Sequence, residues 1–236
     1  MRLGPGLVEG RFLVRLNRFA ALVEVAGQEV MVHVANSGRM RELLVLGHRV
    51  LLKPASADSR KTQFDLALVD LGFTLASADA RLPNVLMAEA LARGSLPQFR
   101  DYPQLHREVP FTESRLDLML EGPRGRCYVE TKSVTLVVDG VGLFPDAPTT
   151  RGVKHLGSLA KAVAAGHRAA VVFVVQREDA QSVAPHDQAD PQFGGALRRA
   201  VAAGVEAFAY RCRVTPQEIT LAEELPVELE SSVTGR

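Results

Sequence analysis

Hydrophobic and polar positions alternate most regularly over 114–121 and 126–133, on either side of Gly122-Pro123-Arg124-Gly125. Period two around a turn-rich quartet predicts a β-hairpin with a four-residue loop. A loop symmetric about Pro123 and Arg124 sets Glu121 opposite Arg126, Met119 opposite Tyr128 and Asp117 opposite Glu130. One face then carries Leu116, Leu118, Leu120, Cys127, Val129 and Thr131, a core face. The other carries Arg115, Asp117, Glu121, Arg126, Glu130 and Lys132, a polar face. Upstream, the pattern predicts strands at 7–16, 20–25, 29–35, 48–54 and 63–71. A short helix at 39–44 follows Asn36 or Ser37 as cap and ends at Gly47. A polar loop, 56–61, separates the last two strands.

Further along, Pro83 opens a helix at 84–93 that Gly94 stops. The hairpin's second strand extends into 134–141, with a turn at Asp139-Gly140. Thr149 or Thr150 caps a helix over 151–165. The unbroken apolar run 169–176 reads as a buried central strand. A helix from Asp190-Pro191 to Ala203-Gly204 and a strand over 206–214 follow, and the polar stretch 228–236 is expected to fray. Three strands, a helix and two strands is the order of an OB-fold, a partly open barrel that often binds single strands. The remainder reads helix, three strands, helix, strand, helix, strand. The chain is therefore a mixed α/β protein, with an OB-like barrel over 1–80 and an α/β domain with a central mixed sheet over 81–236.

Composition changes this picture little. A 47% hydrophobic fraction is ample for a core, and a net charge of +1 announces no global nucleic-acid binder, so such a site must be a local patch. Cys127 and Cys212 lie in strand-like runs and read as small buried hydrophobes, with no disulfide partner and no zinc site. With no apolar signal core and no run of about 18 apolar residues, the expectation is a cytoplasmic protein with no membrane partner. Oligomeric state leaves no mark on the sequence.

The hairpin carries the candidate chemistry. Two carboxylates meeting across a ladder repel unless a cation lies between them. Lys132 shares the face of Glu130, because strands alternate with period two. Asp117 with Glu130-Thr131-Lys132 is thus a candidate Mg²⁺ site with an ammonium beside it, and Glu89 on the preceding helix is a further carboxylate for the metal. A second cluster suits phosphates and bases: Arg11, Arg15, Asn17, Arg18, Phe19, Asn36, Ser37 and Arg39. Arg115 lies on the polar face of the hairpin, and Arg151, Lys154 and His155 lie at a helix N-terminus, suited to phosphate.

The arrangement of the second domain resembles the PD-(D/E)xK nuclease core. Six motifs extend a likeness over nearly the whole chain: Asn17-Arg18-Phe19, Asn36-Ser37-Gly38-Arg39-Met40, Ser114-Arg115-Leu116-Asp117, Glu130-Thr131-Lys132-Ser133, Phe144-Pro145-Asp146-Ala147-Pro148-Thr149 and Arg151-Gly152-Val153-Lys154-His155-Leu156. Together they are similar to the sugar fermentation stimulation protein A (SfsA) family. That resemblance implies DNA as partner, a link to bacterial sugar-metabolism regulation, an OB-like first domain and a nuclease-like second one. Asp146 follows the Glu-Thr-Lys motif, whereas the nuclease acid precedes it, so Asp117 takes that place. Two activities fit: a Mg²⁺-dependent DNA endonuclease, with Mn²⁺ as a substitute, or a DNA-binding transcriptional regulator using a nuclease-like scaffold. In the first, Asp117, Glu130 and the Thr131 carbonyl hold the metal, Glu89 adds an outer carboxylate, and Lys132 orients the attacking water.

Overall fold

A computed structural model describes residues 1–4, 6–55 and 62–230; the polar loop expected at 56–61 and positions 231–236 of the polar tail lie outside the described residues. Strands β1 (Val8–Asn17), β2 (Ala20–Val25), β3 (Gln28–His33), β4 (Arg49–Pro54), β5 (Phe64–Asp70) and β6 (Leu75–Ser77) form one sheet, in the order β3-β2-β1-β4-β5-β6. A parallel pairing of His33 with Asp65 joins β3 to β5 and closes the barrel. Phe12, Val23, Val32, Val50, Leu52 and Leu66 fill its interior. These are the inward positions of alternating strands, so the barrel follows directly from the period-two pattern.

The helix expected at 39–44 does not form. Leu43 N and Leu44 N both donate to Met40 O, a single turn. Met40 takes a positive φ of 47°, and its N–H donates to Asp146 Oδ2 at 3.0 Å. A six-residue segment has too little cooperativity to hold a helix against such a tether.

The second domain begins with α1 (Leu82–Ala92). It continues with β7 (Gln104–Phe111), β8 (Ser114–Gly122), β9 (Gly125–Val134), β10 (Leu136–Val138), β11 (Val141–Phe144), α2 (Thr150–Ala164), β12 (Arg168–Val175), β13 (Ser182–Pro185), α3 (Pro191–Ala202), β14 (Glu206–Val214) and β15 (Ile219–Leu225). Its main sheet runs β15-β14-β12-β9-β8-β7. The strands β9, β12 and β14 are parallel at its centre, and the outer pairings are antiparallel. Segment 134–141 is not a simple extension of β9: β10 and β11 form their own hairpin, which pairs with β13 in a small separate sheet. The edge strands β7 and β15 are half exposed and polar, so they lack the apolar run that marks a central strand.

Helix α1 covers one side of the main sheet and α2 and α3 cover the other, so both faces are buried. The hairpin face expected to be polar also carries a second core, where Met119, Tyr128 and Phe173 pack beneath α2 and α3. The barrel and the sheet share a core: Leu51 and Leu68 join Leu86, Leu118 and Val172 in one cluster. Buried Gln176 locks the junction. Its side-chain amide donates to Asp79 O at 2.9 Å and Ser133 Oγ at 2.7 Å, while its backbone carbonyl accepts from Ser77 N. Burial pushes the Cys127 and Cys212 thiols up to about 12, which fits small core residues.

Candidate active site

Strand β9 places the Glu-Thr-Lys run at the centre of the sheet. Its pairing with β12 sets Glu130 beside Val171, Thr131 beside Val172 and Lys132 beside Phe173. The hairpin register is Gly122 with Gly125, Glu121 with Arg126 and Met119 with Tyr128, closed by a two-residue turn, Pro123-Arg124, rather than four residues. The paired stretch ends at Leu118 and Val129. Beyond it the alternation breaks: Leu116 packs with Met119 beneath α2, while Leu118 and Leu120 pack on the α1 side.

Asp117 lies at this break, and its carboxylate is held by donors from two elements. Oδ2 accepts from Thr131 N at 2.8 Å and Thr131 Oγ1 at 2.9 Å, and Oδ1 accepts from Asn84 Nδ2 at 3.1 Å. Asn84 Oδ1 also lies within reach of Thr131 Oγ1, so the single Thr131 hydroxyl proton is shared between two acceptors, Asp117 Oδ2 and Asn84 Oδ1. Thr131 therefore serves the site by its side chain and amide, not as part of an apolar core face.

Glu130 keeps other company. Its Oε1 accepts from Lys132 Nζ at 2.6 Å and bonds His155 Nδ1, while Oε2 takes a long bond from Asp117 N at 3.4 Å. Glu130 is 3% exposed and Lys132 8% exposed, so this is a buried charge pair. Burial pushes the Glu130 carboxyl up, but Lys132 and His155 outweigh it and hold the group below the ordinary carboxylate range. Arg151 Nε donates to His155 Nε2 at 3.3 Å, which makes Nδ1 the ring nitrogen that donates to Glu130. His155 is buried on α2 and cannot meet a phosphate from solvent; it holds an acid instead.

Asn84, Asp117, Glu130, Thr131 and Lys132 line a recess of about 330 Å³ between the two domains. Asn36, Ser37 and Gly38 of the barrel form one wall, and Pro145, Asp146 and Arg151 form part of the other. A Cβ at Gly38 would lie 2.6 Å from Asp146 Oδ2, so a side chain there would force the Asp146 carboxylate to shift. Asn36 Oδ1 accepts from Gly38 N at 2.9 Å and shapes the same loop.

Arg15 organises the barrel wall. All five of its N–H groups donate to backbone carbonyls: Asn17 and Arg18 in the β1–β2 turn, and Asn36, Gly38 and Arg39 in the loop. Burial lowers the pKa of its guanidinium and nearby Asp146 opposes that shift. With every donor engaged, Arg15 is a clamp and not the phosphate contact expected of it. Asn17 Oδ1 accepts from Phe19 N at 2.8 Å, and Arg18, Phe19, Ser37 and Arg39 stand exposed around the clamp. Arg11 lies toward the other end of β1, paired across to Glu24 and Arg49. Arg115, opposite Pro110, and Lys154 on α2 are exposed and do not line the recess. Glu89 points elsewhere: it bonds the Met1 amine at 2.7 Å and Arg93 at 3.5 Å. The residue that α1 does supply is Asn84, in its first turn, directly after the helix-opening Pro83. Among the described residues, no group of three or more His, Cys, Asp and Glu side chains is gathered to hold an ion.

Two family models match the chain: the SfsA N-terminal OB domain over residues 13–77 and the sugar fermentation stimulation protein RE domain over 81–218. The sugar fermentation stimulation protein homolog of Desulforamulus reducens is 45% identical over 225 residues, covering 95% of this chain and 94% of that one. The homolog of Moorella thermoacetica is 46% identical over 231 residues, covering 97% and 100%. A solved structure, Pyrococcus furiosus SfsA in complex with Ca²⁺, superposes with a TM-score of 0.89 at 30% identity, covering 97% of this chain and 99% of that one.

Proposed function

The chain belongs to the sugar fermentation stimulation protein A family, and on that premise we propose that it is a divalent-cation-dependent DNA endonuclease, hydrolysing phosphodiester bonds in the recess between barrel and sheet. One observation carries the reading: two carboxylates, each held by its own side-chain network, open with a buried lysine into one recess. A carboxylate offers roughly four acceptor directions. Asp117 uses three of them and Glu130 uses three, which leaves one free direction on Asp117 Oδ1 and one on Glu130 Oε2. With the Thr131 carbonyl these are hard oxygen donors, the kind Mg²⁺ or Mn²⁺ takes while keeping several waters. The Ca²⁺ named for the Pyrococcus furiosus relative supports an oxygen-ligated divalent ion here.

Asp117, Glu130 and the Thr131 carbonyl would hold the ion. When bound, the ion would polarise the scissile phosphate and acidify a water. Lys132 Nζ, anchored on Glu130, donates to the attacking water and fixes its direction. Asn84 and His155 hold the two acids in place. Arg151, exposed in the first turn of α2, meets the phosphate that enters the recess.

Plasmid and oligonucleotide cleavage by the purified protein with Mg²⁺, Mn²⁺ or EDTA tests this. Cleavage is expected with either ion and not with EDTA. In Asp117→Asn the rate should fall by about two orders of magnitude or more, the scale of losing a positioned catalytic group. The fold should survive, because the Asn84 amide can flip and still satisfy the new side chain. Absence of metal-dependent cleavage in the wild type would overturn the proposal and leave a DNA-binding regulator on a nuclease-like scaffold.

A further inference from the structure

The outer face of the barrel is apolar where a soluble surface would ordinarily be polar. Val14 and Leu16 are each 48% exposed, Phe19 51% and Met31 40%. The strand register makes them neighbours: Val14 pairs with Leu22, and Leu22 pairs with Met31, so one row crosses three strands. Phe19 follows in the turn at the end of β1. This turn and the recess wall are one unit, because Arg15 bonds carbonyls of both, and Phe19 O accepts from Val34 N at 2.9 Å. The apolar face therefore runs into the wall formed by Asn36, Ser37 and Gly38, with exposed Arg18 and Arg39 at the junction.

We infer that this face is the binding track for single-stranded DNA, which feeds the recess; the inference rests on the endonuclease reading for its substrate. Duplex DNA turns its phosphates outward and keeps its base planes stacked inside, so a row of apolar side chains beside it finds no base plane to cover. A single strand presents base planes together with phosphates. Phe19 and the aliphatic row supply apolar contact to the bases, and Arg18 and Arg39 meet the backbone as it enters the recess. Charge complementarity and continuity with the acid-lined recess favour this occupant over a second copy of the chain.

Binding in EDTA separates this inference from catalysis. The probes are a fluorescent oligo(dT) strand, the same strand annealed to its complement, and an RNA strand of equal length, followed by anisotropy. The single DNA strand should bind at least tenfold tighter than the duplex and tighter than RNA. Phe19→Ala should weaken oligo(dT) binding by about tenfold, within the range for losing one stacked base, and leave duplex binding unchanged. Leu16→Ser, which leaves the Arg15 clamp intact, should weaken it in the same direction. Equal or tighter duplex binding, a preference for RNA, or unchanged oligo(dT) affinity in both variants would overturn the inference. So would sedimentation showing a dimer that Leu16→Ser dissociates. If Phe19→Ala loses strand binding while the wild type cleaves nothing with Mg²⁺ or Mn²⁺, the track stands and the endonuclease reading fails. If cleavage favours duplex and proceeds unchanged in Phe19→Ala, the endonuclease reading stands and the track fails.

Discussion

Arg15 and Lys132 are both cations drawn into the protein, and they are used differently. Arg15 gives every N–H to a backbone carbonyl, in two segments that would otherwise be independent loops. Lys132 gives its ammonium to a carboxylate that His155 also holds. Backbone acceptors cannot leave without remodelling the loop that carries them, so the Arg15 cluster is architecture. The acids beside Lys132 keep unused acceptor capacity and line a recess, which is why the proposed ligand is placed there. Burial of charge does not by itself mark a reactive site. The identity of the partners, and whether any valence is left open, separates the two cases.

The contrast can be broken hardest at Lys132. Removing it in Lys132→Ala leaves the Glu130 carboxylate buried without its ammonium, held by His155 and the long bond from Asp117 N, and should cost about 3–5 kcal/mol in urea unfolding, the scale for breaking a buried pair from one side. Lys132→Met combined with Glu130→Gln should recover most of that loss, because the amide oxygen can still accept from His155. A loss under about 1 kcal/mol in Lys132→Ala would mean the pair is solvated like a surface bridge. At Arg15 the expected loss is smaller. Arg15→Ala leaves five carbonyls, several of them near solvent, and should cost about 1–3 kcal/mol. Arg15→Lys should recover only part of it, because an ammonium has three donors and no planar fork. Full recovery in Arg15→Lys would show that charge toward Asp146, not the array of donors, is what holds the loop.

Acid sharpens the same distinction. The carboxyl of Glu130 is held below its ordinary value of 4.5 in the folded protein. A depressed folded value adds stability above the unfolded value, and that stability is lost as pH falls through the folded one. The stability difference between wild type and Glu130→Gln should therefore be flat above pH 4.5 and shrink below it. The difference between wild type and Arg15→Ala should show no such acid limb of its own. A Glu130 difference that grows on acidification would mean that burial, not Lys132 and His155, sets this group.

Much of this was legible in the chain, and the misses share a cause. The period-two strands of the barrel and the apolar run of β12 lie close to where alternation puts them, because inward positions of a strand must be apolar. The hairpin register around Pro123-Arg124 was legible too. Sequence spacing cannot show a break in alternation, so the shift between Leu116 and Leu118 was invisible, and with it the capture of Asp117 by Thr131 and Asn84. Glu89 is the carboxylate that the sequence of α1 offers to the site, but it is taken by the Met1 amine and Arg93. Asn84, five residues earlier and in the first turn, holds the side of the helix that meets the sheet's acids. Arg15 and His155 looked like phosphate contacts because a sequence displays charge but not the acceptors that consume it.

The smallest effect concerns the exposed cations, and it decides how far the binding surface extends. Arg18 and Arg39 stand beside the recess wall, whereas Arg11 lies four residues before Arg15 on β1, roughly 13 Å away at about 3.3 Å per residue. Arg11 also faces acids: it pairs across to Glu24 and helps to lower the Glu9 carboxyl. None of the three single Ala variants should move stability by more than about 0.5 kcal/mol, the usual limit for exposed positions away from special features. Their binding should differ. Arg18→Ala and Arg39→Ala should each reduce the slope of log affinity against log salt by about 0.7, as the loss of one phosphate contact to a single strand does. Arg11→Ala should leave the slope unchanged. Anisotropy titrations of oligo(dT) at several salt concentrations read this directly. A slope in Arg11→Ala that falls as far as in Arg39→Ala would move the cationic contacts away from the recess and along the length of β1, and the rim built on Arg15 would no longer be the place where the backbone is held.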